Sequence, residues 1–184
     1  MAATAARPTS FAMRLIGAVS VDPLLYEEVE ADRTATGQAL IVVVLSSLGA
    51  GIGARGFGTG SLQSTLFISG VATVAWAAWA LLTYTIGTRI MPEPQTRADV
   101  GELLRTTGFA TTPGLFRIFG VMPGATLPVF VATSVWMLVA MVVAVRQSLE
   151  YTSTARAVAV CLLGWGLALA IFFVLGIVFG PTVS

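Results

Sequence analysis

Long apolar runs alternate with short polar segments along most of this 184-residue chain. Each of five runs is close to the roughly 20 residues that a helix needs to cross a bilayer; they cover residues 37–54, 62–86, 103–121, 127–145 and 157–179. Four runs contain no charged residue, whereas the third contains Arg105, Pro113 and Arg117. The pattern predicts an all-α integral membrane protein with a single transmembrane domain over residues 37–184.

The first 36 residues form a separate region that we expect at the membrane interface. A short helix capped by Thr9 or Ser10 would place apolar residues on one side and Arg14 on the side facing water. A second helix is predicted to begin at Asp22 and Pro23, because aspartate caps free backbone N–H groups and proline suits the first helical position. Charged residues interrupt every apolar stretch, so no cleaved signal is predicted.

The distribution of charge decides whether residues 103–121 cross the membrane, because arginines accumulate on the cytoplasmic side. If they cross, eight arginines and all nine acidic residues lie together, and only Arg55 and Arg117 lie opposite. If they do not, the arginines divide seven against three. We therefore predict a five-transmembrane-helix bundle preceded by short amphipathic helices, with the amino terminus cytoplasmic and the carboxyl terminus outside.

The third run also carries the most unusual local chemistry. Pro113 leaves the carbonyl four residues earlier without its helical donor, so a kink is predicted, with the Thr111 and Thr112 hydroxyls satisfying the exposed backbone. Arg117 has two interpretations. It forms an anion or headgroup site inside the bundle, or its apolar stem lets the guanidinium reach the outer headgroups.

Composition limits the chemistry further. The chain is 56% hydrophobic and 10% charged, with a mean hydropathy of +0.88, and its ten basic residues are all arginine. Such a composition excludes a soluble domain, and it offers no basic stripe for nucleic acid. Because no apolar run contains Asp, Glu, His or Lys, we expect no enzymatic activity, no cofactor and no metal site. Cys161, the only cysteine, is expected to pack within a helix.

Three motifs follow one another in a recognisable order: an amphipathic lead-in from Phe11 to Asp32 with Asp22-Pro23, then Glu102-Leu103-Leu104-Arg105 before Gly108-Phe109-Ala110 and Pro113, then Arg156-Ala157. Their order and spacing resemble the prokaryotic branch of the Ypt-interacting-protein (Yip) family of five-span membrane proteins. The resemblance implies a five-helix bundle with a cytoplasmic amino terminus. For eukaryotic relatives it implies binding of Rab-type GTPases and roles in vesicle traffic and membrane shaping. This chain lacks a tyrosine–glycine–proline motif before the first run.

We expect a non-enzymatic membrane scaffold, or trafficking-like protein, that organises partners or lipids. A small transporter or channel subunit is the alternative. The expected partners are membrane lipids and, beside them, a membrane or cytoplasmic protein or a homo-oligomer. Arginine without lysine, with abundant alanine and glycine, suggests a bacterial plasma membrane. The positions expected to serve partner, lipid or structural roles are Asp22, Pro23, Tyr26, Glu30, Gly108, Pro113, Arg117 and Arg156.

Overall fold

A computed structural model describes residues 10–58 and 60–179, which form helices joined by short loops. The described α-helices are α1 (Phe11–Val19), α2 (Pro23–Ala31), α3 (Ala35–Gly53), α4 (Leu62–Thr85), α5 (Val100–Ala110), α6 (Thr126–Ser148) and α7 (Thr154–Phe179). Three other helical segments follow α3, α4 and α5: a 3-10 turn at Ala54–Phe57, a π-helical turn at Ile86–Ile90 and a 3-10 helix at Thr112–Val121.

Four helices of the described chain, α3, α4, α6 and α7, are long and apolar enough to cross a membrane. They coincide with four of the five apolar runs, and their ends differ from the predicted bounds by about three residues or fewer. Large apolar side chains project outward from them, as Phe67 does at 71% exposed and Leu169 at 63%. Outward apolar side chains suit helices whose surroundings are lipid.

The third run folds as two consecutive helices, α5 and the 3-10 helix. Pro113 lies where one passes into the other, and the carbonyl of Phe109 accepts a hydrogen bond from the Thr112 hydroxyl at 2.5 Å. The Thr111 hydroxyl donates to the carbonyl of Gly108 at 2.7 Å. The predicted break at the proline, with threonine hydroxyls satisfying the backbone, is therefore confirmed, although the second part is a 3-10 helix rather than a bent α-helix.

The two parts of the third run lie beside α3 and follow it in the same direction. Small residues bring the backbones so close that a Cβ atom on several of these glycines would crowd or overlap the opposite chain. From one end to the other, the contacts pair Gly108 with Ala39, Gly114 with Ser46, Gly49 with Leu115, Gly53 with Arg117 and Gly56 with Gly120. The segment from α5 to Val121 thus extends along the whole length of α3.

Helices α1 and α2 pack against the flank of the bundle formed by α5, α6 and the 3-10 helix. The Ser10 side chain accepts from the N–H of Met13 at 3.4 Å, and Asp22 accepts from that of Leu24 at 3.0 Å, so both predicted helix starts are confirmed. The outer surface here is apolar, because Met13 and Ile16 are 56% and 58% exposed.

Candidate functional site

A buried arginine joins α1, α2 and the start of α3. Arg14 is 1% exposed and donates hydrogen bonds to Glu28 (2.9 and 3.1 Å), Asp32 (2.6 Å) and Gln38 (2.9 Å). Hydrogen bonds from Thr34 and then Arg14 lower the pKa of Asp32 from 3.8 to about 2. The prediction that Arg14 faces water is wrong, because the carboxylates of Glu28 on α2 and of Asp32, just after α2, bind it at the bundle flank.

Two further side chains of the bundle hold the ends of these short helices. Arg105 is buried, and its guanidinium donates to the carbonyls of Val29 (3.0 Å) and Glu30 (2.5 Å) in the last turn of α2. These carbonyls lack helical partners and carry the negative end of the helix dipole, so a cation stabilises them. Trp136 donates from its indole N–H to the carbonyl of Val19, at the end of α1, at 2.9 Å.

An acidic groove of about 610 Å³ lies between α2, α5, α6 and the start of α7. Its carboxylates are Glu27 and Glu30 of α2, Glu102 of α5 and Glu150 after α6. Burial raises the pKa of Glu30 to about 7, and the other three carboxylates add to the effect. Arg146 also lines the groove, but it donates to carbonyls of the next loop. The groove therefore offers mainly negative charge, and in the described residues no acidic, histidine or cysteine cluster is arranged to hold a metal ion.

One wall of the groove is fixed by contacts between two loops. Glu93, before α5, accepts hydrogen bonds from the backbone N–H (3.0 Å) and hydroxyl (2.8 Å) of Thr152, before α7. These bonds lower the pKa of Glu93 to about 2. The Tyr151 hydroxyl lies 2.9 Å from the carbonyl oxygen of Gly87, in the π-helical turn after α4, and 2.8 Å from that of Met91, just after this turn. The loops are thus held together independently of any partner.

A second cavity, of about 270 Å³, lies deeper in the bundle between α3, α4, α6, α7 and the 3-10 helix. Its wall is mostly apolar and aromatic, with a few hydroxyl groups and one guanidinium. We call it the arginine cavity, and its principal lining residues are Trp76, Trp79, Arg117, Met137, Trp165 and Leu169.

The guanidinium of Arg117 reaches this cavity from the 3-10 helix. Its Nε donates to the Thr133 hydroxyl at 3.3 Å and its Nη2 to the Ser134 hydroxyl at 2.9 Å. The charge also lies over the ring of Phe130, 5.4 Å from the centroid, a favourable cation–π position. None of the ion pairs within the described residues involves Arg117. Its positive charge is therefore stabilised by dipoles and a ring, without a carboxylate.

Four of the predicted positions lie on α2 or at its start. Asp22 and Pro23 form its capped first turn, and Glu30 lines the acidic groove. Tyr26 faces inward at 0% exposed, and its hydroxyl has no hydrogen-bond partner within the described residues. Tyr26 is thus a core residue, whereas Glu27, its exposed neighbour, is the better surface position.

The other four predicted positions are divided between the third run and the last loop. Gly108 packs on Ala39, Pro113 is buried at the helix junction, and Arg117 lines the arginine cavity. Arg156 donates to the carbonyl of Pro92 at 2.9 Å and lies 3.4 Å from Glu93. The eight positions therefore do not form one site.

The contacts of three residues were not predicted from the sequence: those of Arg14, Arg105 and Glu93. For Arg14 the sequence held a detectable signal, since Glu28 and Asp32 are four positions apart and a helix continued to Asp32 would place both on one face. The signal for Arg105 was weaker. An arginine within an apolar run needs buried hydrogen-bond acceptors, but the acceptors of Arg105 lie 75 and 76 positions away in the sequence. Nothing in the spacing connects Glu93 to Thr152.

The helical architecture and its long apolar helices define a polytopic membrane protein. The chain belongs to the Yip1 domain family, whose model matches residues 21–175. The family resemblance drawn from the sequence motifs is confirmed, and membership of the prokaryotic branch stays a prediction. No curated protein and no solved structure matches the chain.

Proposed function

We propose that this Yip1-domain protein crosses the membrane five times and organises membrane partners or lipids without catalysing a reaction. The course of residues 103–121 beside α3 supports the fifth crossing. This run lies within α5 and the 3-10 helix, which contain 11 and ten residues. At about 1.5 and 2.0 Å per residue, these two elements from Val100 to Val121 are together roughly 36 Å long. A bilayer core is about 30 Å thick.

The main support for a role in organising partners is the acidic groove. It is built by elements held together by their own contacts, and its carboxylates are left without a matching set of cations. In the proposed topology it faces the cytoplasm of a bacterial cell. A groove of this charge suits a basic segment of a partner protein, since complementary charge guides association and selects among partners.

The topology is tested with single cysteines in a Cys161→Ala background, which removes the one native thiol. Arg97→Cys and Pro123→Cys place thiols on exposed loops before and after the third run. In intact cells, a membrane-impermeant maleimide should label Pro123→Cys and leave Arg97→Cys unlabelled until the membrane is permeabilised. Equal protection of both positions would refute the fifth crossing.

The groove is tested by photocrosslinking from Glu27 and Glu150, which are both exposed. Gln63, exposed at the start of α4 near the opposite end, is the matched control position. A partner should be captured through a basic segment from the groove positions, and not from Gln63. Capture should fall as salt rises and should be lost when the remaining groove glutamates are replaced by glutamine. Recovery of lipid alone would remove the protein-partner form of the proposal.

The transporter alternative would use Thr111, Thr112, Pro113 and Arg117 to line a path. Two of these, Thr111 and Arg117, line the arginine cavity, while Thr112 and Pro113 are buried in backbone contacts. Solute flux in reconstituted vesicles that falls on Arg117→Ala would favour this alternative. Flux that is unchanged would remove Arg117 from such a mechanism.

A further inference from the structure

The arginine cavity contains hydrogen-bond donors that the bundle leaves unused. Arg117 forms its hydrogen bonds through Nε and Nη2, and Nη1 has no hydrogen-bond partner among the described side chains and backbone. The indole N–H of Trp76, another lining residue, is buried and likewise without an acceptor in the described chain. A buried tryptophan N–H usually finds an acceptor, so the indole N–H of Trp76 indicates an acceptor that is separate from the chain, and Nη1 of Arg117 offers that acceptor a second donor.

The charge of Arg117 indicates that this acceptor is an anion. A cation within a bundle is costly unless an opposite charge or several hydrogen bonds accompany it, and here hydroxyls and a ring are its described partners. Guanidinium groups bind carboxylate and phosphate with paired N–H donors, and the free Nη1 leaves one such donor available.

The wall of the cavity indicates that the anion belongs to a lipid. Trp165 and Leu169 of α7 line the cavity, yet they are 43% and 63% exposed on the outside of the bundle. The cavity therefore reaches a surface that lipid covers when α7 spans the membrane. Its volume of about 270 Å³ lies just below the roughly 300–1,000 Å³ of drug-sized sites, which suits an anionic group and part of one acyl chain rather than a whole phospholipid.

We infer that the arginine cavity binds an acidic membrane lipid, with its carboxylate or phosphate at Arg117 and the indole N–H of Trp76, and one acyl chain between Met137 and Leu169. The site is separate from the acidic groove. It rests on the proposed membrane placement of residues 103–121, which the Pro123→Cys labelling tests on its own.

The test uses tryptophan fluorescence, because three of the four tryptophans line the cavity. The full-length protein in a neutral detergent is titrated with dibromostearate, whose bromines quench nearby indoles. The methyl ester of the same acid provides the same chain without charge, and inorganic phosphate and acetate provide charge without a chain. We expect saturable quenching by the acid, at least about tenfold weaker quenching by the ester, and no displacement by the free anions.

Variants assign the binding to Arg117. Arg117→Gln should weaken dibromostearate at least about tenfold, to the level of the ester, whereas Arg55→Gln, which changes an exposed arginine, should leave it unchanged. Trp76→Phe removes one donor and should weaken the binding of dibromostearate about three- to tenfold. This variant provides the test if Arg117→Gln fails to fold. Equal affinities for acid and ester, or an unaffected Arg117→Gln, would overturn the inference. Displacement by phosphate would overturn its lipid form in favour of a free-anion site.

Discussion

Replacing Arg14 by methionine should release α1 from the bundle. The change keeps an apolar stem of similar length and removes the four hydrogen bonds of a guanidinium whose side chain is 2% exposed. Breaking a fully buried ion pair costs about 3–5 kcal/mol. Glu28 and Asp32 are 29% and 23% exposed, so water partly replaces the lost partner. We therefore expect a cost of about 2–4 kcal/mol, which makes undocked α1 roughly 30- to 900-fold more populated.

Amide hydrogen exchange of the full-length protein in nanodiscs measures this population. Peptides covering α1 should exchange faster in Arg14→Met by about that factor, while peptides from α6 keep their rates. Arg33→Met is the matched control, because Arg33 is an exposed arginine close to the same helices. Equal rates for α1 in the two variants would refute the docking role, and equal acceleration of α6 would indicate general unfolding instead.

Three other changes have defined outcomes. Glu30 has a folded pKa of about 7, above its usual 4.5, so its ionisation lowers the stability of the protein progressively as the pH rises from about 4.5 to 7. In thermal unfolding, Glu30→Gln should stabilise the protein by about 1–2 kcal/mol at pH 8, after allowance for solvent screening. At pH 4 the same substitution should hardly change the stability. Gly53→Ala should lose about 1–3 kcal/mol, since its Cβ would overlap a carbonyl, whereas Gly70→Ala, with open space around it, should be neutral or stabilising in the same denaturation assay. Thr112→Val should lower the free energy of unfolding by about 1–2 kcal/mol when Pro113 is present. The loss should be smaller in a Pro113→Ala background, because the new N–H can donate to the Phe109 carbonyl that the Thr112 hydroxyl serves. Equal losses in the two backgrounds of this double-mutant cycle would contradict the prediction.

The long helices and the starts of the short ones were predictable from sequence because their causes are local. A bilayer requires a continuous apolar length, and Asp22 followed by Pro23 favours a helix start wherever the helix then packs. The partners of the buried arginines were not predictable in the same way. The apolar sequence around Arg105 shows that burying this residue is costly. The carbonyls that accept its hydrogen bonds belong to α2, however, and only the packing of α2 on α5 brings them within reach.

The third run has a lower hydropathy than the other four runs, and the structure explains why its polar residues are tolerated. Every residue from 105 to 114 is buried, so this part of the segment is enclosed by neighbouring helices rather than by the surroundings of the bundle. Hydropathy assigns each residue a cost of exposure to lipid, and that cost does not apply where no lipid contacts the chain. Arg105 then needs only acceptors from α2, and the carbonyl freed by Pro113 needs only the hydroxyl of Thr112. Residues 105–114 can therefore carry charge, proline and threonine, because the neighbouring helices supply the outer apolar surface around them.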